Sequence, residues 1–122
     1  MVARFLRGEN ILSGTARRGP DVGTILQFAG HEIRIAEAHE GDVTFMARPE
    51  LLRVHPQGDK VENAVVAELS DVADRGVYRR LEFDAGIPLV AFVPGEHEGH
   101  TFTPGQRYAV VIPPSAVRIL ED

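Results

Sequence analysis

Apolar and polar residues alternate along this chain over short stretches, the period of a strand with one buried face. In "TILQFAG" (24–30) and "EIRIA" (32–36) the alternation runs on both sides of Ala29-Gly30, which predicts a hairpin turning there. "VTFMA" (43–47), "NAVVAEL" (63–69), "VYRRLEF" (77–83), "LVAFV" (89–93) and "YAVVI" (108–112) are β-branched or aromatic and bounded by Gly, Pro or Asp. About ten such strands predict an all-β barrel or sandwich. Pro88 belongs at a strand start or on an edge, because it cannot donate to a central ladder. Only the beginning of the chain departs from this period. Val2, Phe5 and Leu6 sit at helical spacing and Gly8 follows as a C-cap, so residues 1–8 read as the end of a helix.

The pattern is written twice. Glu9-Asn10 and Glu62-Asn63 each open a half, followed by "ILSGTA" and "AVVAEL". Each half continues with an aromatic, a small-residue turn and an alternating strand. Each closes on a glycine, a strand, a proline and a short aliphatic strand, in "GDVTFMARPELLRV" (41–54) and "GQRYAVVIPPSAVRIL" (105–120). The first repeat is placed at 9–54 and the second at 61–122, with "HPQGDK" (55–60) as a polar connector and "PGEHEGHTFTP" (94–104) as an insertion. Half of this chain holds too few strands to bury a good core. The two halves are therefore expected to share strands in one packed module.

Composition narrows the function. The 122 residues are 43% hydrophobic and 25% charged, the balance of a globular domain. No apolar run approaches the roughly twenty residues of a membrane span, and Arg4 and Arg7 break any signal-peptide core. There is no cysteine, which excludes disulfides, thiolate metal sites and cysteine nucleophiles. The net charge of −5 argues against a phosphate-backbone binder.

Few residues suggest chemistry. His97 and His100 lie three apart in "GEHEGH" and are the candidate metal ligands, but the glycines around them read as a solvated loop without a third histidine. Ser13, Thr15, Ser70 and Ser115 lack the signature of an activated nucleophile. "GTARRGPDVG" (14–23) has no Walker pattern and reads as a hairpin loop. Arg79 and Arg80 are adjacent on a strand and so point to opposite faces, with Asp71, Asp74 or Glu82 as possible partners for one of them.

"VARFLRGENILSG", "ARPELLRV" and "PGQRYAVVIPPSAVRIL" together resemble the TOBE domain, the C-terminal accessory region of ABC importer ATPases, and "IPLVAFV" (87–93) resembles its molybdate/tungstate branch. The resemblance covers essentially the whole chain. It implies an OB-like β-barrel built from two tandem repeats, entered through the end of a linker helix and often paired as a homodimer. It implies a cytoplasmic module that meets a membrane only through a transporter and has an ABC transporter ATPase domain or subunits as partners. In some relatives, and in the stand-alone molbindins, such a module binds molybdate or tungstate through phrases resembling "SARN", "IT-x-x-S" and "IKA". Here the first phrase is "KVEN", with Lys60 at the serine position and Asn63 retained. The second falls at "FVPGEH" (92–97) and the third at "IPP", where Pro113 replaces the lysine. Lys60 and Asn63 are accordingly the oxyanion candidates. The leading expectation is a non-catalytic regulatory or dimerisation module without cofactor or nucleotide motif. The alternative is a molbindin-like oxyanion-binding module, and behind both stands an OB-fold nucleic-acid binder.

Overall fold

A computed structural model describes residues 10–19, 23–56, 62–95 and 102–121. The expected N-terminal helix lies outside them.

The chain is all-β. Its described strands are β1 (Asn10–Arg18), β2 (Thr24–Phe28), β3 (His31–Ile35), β4 (Gly41–Ala47), β5 (Arg53–Pro56), β6 (Ala64–Asp74), β7 (Tyr78–Asp84), β8 (Pro88–Pro94), β9 (Arg107–Val111) and β10 (Val117–Glu121). Two short 3-10 turns, Pro49–Leu51 and Pro114–Ala116, precede β5 and β10. Each begins on a proline, whose fixed φ suits the first position of a helical turn and whose missing N–H costs nothing there.

The strands form two five-stranded antiparallel sheets, ordered β10-β4-β1-β2-β3 and β5-β9-β6-β7-β8. The orders match position for position, and the last strand of each half lies in the other half's sheet. β5 pairs with β9, and β10 pairs with β4. The second 3-10 turn contacts β3, and the first contacts β8. Each sheet thus curls towards closure as an OB-like half-barrel. One buried cluster runs through both, with Leu26, Ile33 and Phe45 from the first sheet and Leu69, Leu81, Leu89 and Val110 from the second.

Local chemistry explains the turns. Phe28 pairs with His31, leaving Ala29-Gly30 as a two-residue loop in which both residues have positive φ, 48° and 84°. That turn matches the strand twist and favours Asn-Gly. An alanine in the left-handed region costs roughly 1–2 kcal/mol. Ala29→Asn is therefore expected to raise the unfolding free energy by about 1 kcal/mol, about 4 °C in Tm, in thermal denaturation. Pro88 opens β8, an edge strand, as its chemistry requires.

Two loop readings are corrected. Residues 14–18 continue β1 instead of forming a hairpin loop, and His55 and Pro56 belong to β5 instead of the connector. Gly14 misled the first reading. It sits where β1 closes on β2, and a Cβ there would overlap the Gln27 carbonyl oxygen. Glycine inside a strand marks such a close approach.

Candidate functional site

The residues that open the two halves perform one task twice. Asn10, 4% exposed, donates from Nδ2 to the Ala47 carbonyl at 3.0 Å and to the Val90 carbonyl at 2.8 Å. Its Oδ1 accepts from the Val90 N–H at 2.7 Å. Asn63, 8% exposed, donates to the carbonyls of Ile112 and Arg34, both at 2.9 Å, and accepts from the Arg34 N–H at 2.8 Å. Each side-chain amide therefore behaves like one residue of a neighbouring strand. Asn10 fastens edge strand β8 of the second sheet, and Asn63 fastens edge strand β3 of the first. An amide side chain has the two donors and the acceptor this requires, and a carboxylate has no donor. Asn63 takes φ +63°, a conformation asparagine tolerates better than most residues.

This geometry bears on the oxyanion candidates. Both Nδ2 hydrogens of Asn63 are committed to backbone carbonyls. In the third phrase, the Ile112 N–H donates to the Asn63 carbonyl at 2.9 Å, and Pro113 and Pro114 have no N–H. In the second, Pro94 has none and the Gly95 N–H donates to the Val77 carbonyl at 3.0 Å. Lys60, His97 and His100 lie outside the described residues.

A cavity of about 190 Å³ adjoins Asn63, lined by Ile25, Glu32, Ile33, Arg34 and Glu62. It sets one guanidinium against two carboxylates. Glu32 is engaged by Arg17 at 2.8 Å and by Gln27 at 2.9 Å. A second cavity, of about 280 Å³, lies beside Arg18, Thr24 and His39. There the buried Thr24 hydroxyl donates to the Glu37 carbonyl and accepts from the His39 N–H. Among the described residues no three His, Asp or Glu side chains come together as a metal site.

The remaining sequence candidates are accounted for locally. Arg80 pairs with Glu82 on the outward face of β7, while Arg79 lies on the opposite face, across from Val93. Ser13 and Thr15 are exposed on β1, Ser70 sits at the β6 bulge, and Ser115 lies in the second 3-10 turn. Sequence reasoning assigned no role to Asn10 or His31. Asn10 was signalled only by its place in the repeat. His31 donates from Nε2 to the Ala85 carbonyl at 2.7 Å, tying the β2–β3 turn to the β7–β8 turn.

Two curled five-stranded sheets that exchange their last strands define a double OB-like β module. The chain belongs to the TOBE domain family, whose model matches residues 45–120. Among solved structures it resembles the cytoplasmic molybdate-binding protein ModG, in the form with molybdate bound. That likeness has a TM-score of 0.74 at 14% sequence identity and covers 93% of this chain and 96% of the other. No curated protein matches it in sequence. Among the described residues no helix is long and apolar enough to cross a membrane.

Proposed function

We propose that this chain is a non-catalytic regulatory module of an ABC transporter ATP-binding protein, acting in the cytoplasm and pairing with a second copy. Family membership supports it. The observation that carries it over simple oxyanion storage is the use of donors around Asn63. At the described positions where relatives resembling it hold an oxyanion, every donor named above is spent on the protein's own backbone or replaced by proline. An anion leaves water only where several donors replace its hydration. Without a phosphate-binding loop, the module is also proposed to leave nucleotide hydrolysis to its partner domain.

The likeness to a molybdate-binding protein favours a second reading, an oxyanion module of the molbindin type. Its donors would then come from Lys60 and the backbone around it.

Thermal denaturation separates the two. Ligand at a hundredfold excess over its dissociation constant stabilises by about 2.7 kcal/mol, a Tm rise of roughly 10 °C for a chain of this size. The regulatory reading expects no rise with molybdate, tungstate or sulfate. A rise with molybdate but not sulfate, abolished by Lys60→Ala, would establish the second reading instead.

A further inference from the structure

We propose that the outward face of the second sheet, centred on Val66, packs against the same face of a second copy. The proposal rests on the reading that the module pairs with itself, and it names the surface used. β6 and β9 run side by side with Ala64↔Val111, Val66↔Ala109 and Glu68↔Arg107 as opposed pairs. Val65, Ala67, Leu69 and Val110 belong to the core cluster. Alternation puts the three opposed pairs on the other face. Val66 is 44% exposed there, beside the smaller Ala64 and Ala109, and so stands proud of an apolar strip. The repeat supplies the comparison. In the first sheet Ser13↔Thr44 takes the place of Val66↔Ala109, Ser13 lying three residues after Asn10 as Val66 lies three after Asn63. Polar side chains suit a sheet face in water, and the second sheet has none at this centre.

Charge names the partner. Arg53 and Arg107 border the strip on the β5–β9 side, and Glu68 and Asp84 border it on the β6–β7 side. Glu68 and Asp84 stand directly opposite each other, a like-charge pair that destabilises a lone sheet. Among the described residues neither Glu68 nor Arg107 makes an ion pair. A face that is basic on one flank and acidic on the other complements itself. A two-fold axis parallel to the strands, midway between β6 and β9, lays β9 of one copy over β6 of the other. Val66 then seats on the partner's Ala109 and Arg107 meets the partner's Glu68, each contact made twice. Aligned sheets stack in this way about 10 Å apart, their strands within about 30° of each other.

Sedimentation equilibrium on the full chain tests it. Val66→Asp is expected to raise the Kd of the dimer by about a hundredfold or more, because each copy would bury an unpaired carboxylate. Arg107→Glu and Glu68→Arg each set like charges together at both contacts, and each is expected to weaken the dimer about a hundredfold. An equimolar mixture of those two variants is expected to pair again within about tenfold of the parent, since the mixed dimer restores both opposite-charge contacts. The two charge variants keep the test open should Val66→Asp fail to fold. Ser13→Asp, at the matching place on the first sheet, is expected to leave the Kd unchanged. A parent chain that stays monomeric well above micromolar concentration would overturn the proposal together with the self-pairing reading. A parent dimer that Val66→Asp leaves intact, or whose charge variants fail to pair on mixing, would overturn the surface and leave that reading standing.

Discussion

Asn10→Ala is expected to lower the unfolding free energy by about 3 kcal/mol, roughly 12 °C in Tm. The substitution removes three hydrogen bonds at once. Ala47 is fully buried, so water cannot replace the donor its carbonyl loses. An unsatisfied buried group costs about 1–3 kcal/mol. The Val90 N–H and carbonyl lose their partner as well, and the edge of β8 comes loose from β1. Asn63→Ala is expected to cost more, about 4 kcal/mol, because alanine must also hold φ +63°. Asn63→Gly removes that strain and keeps the loss of the amide, so it should fall between alanine and the parent. Asn10→Asp keeps the side-chain shape and turns oxygen towards two carbonyls. It should cost at least as much as alanine. Urea denaturation gives these values directly, and a loss below 1 kcal/mol for Asn10→Ala would show that the amide does not hold the sheets.

Gly14→Ala is expected to cost about 3 kcal/mol for a different reason. The added methyl overlaps the carbonyl oxygen of Gln27, part of a paired backbone and not the movable end of a side chain. Relief requires β1 and β2 to separate beside Thr15↔Gln27. Overpacking a tight site costs typically 1–3 kcal/mol when side chains can shift, and backbone yields less readily. Gly30→Ala makes the comparison, since no atom lies within 4 Å of its added Cβ. It carries only the positive-φ penalty, about 1 kcal/mol. Similar losses at Gly14 and Gly30 would contradict the steric account.

The fold was legible where one physical rule acts locally. Alternation with period two located most of the strands, and the Ala29-Gly30 hairpin followed from the polarity on its two sides. Shared strands between the halves followed from the size of the core. Which strands change sheets did not. Arg53–Pro56 and Val117–Glu121 are short, and nothing in them names a partner; the sheet they join is set by β9 and β4, far away in the chain. Gly14 was read as a loop because glycine marks turns more often than it marks close strands. Asn63 stood as an oxyanion candidate because a resemblance placed it in a binding phrase. Its partners, Arg34 and Ile112, lie 29 and 49 residues away and become visible only when the halves are folded together. The repeat of Glu-Asn at 9–10 and 62–63 was the signal that both asparagines share one role.

Calorimetric titration of molybdate into the chain, with sulfate as the control, tests the central claim most directly. With its described donors turned inward, the module is expected to give no saturable heat with either anion. A saturable heat with molybdate alone, at one site per chain or per dimer and in the micromolar range or tighter, would contradict the account and make the chain an oxyanion binder.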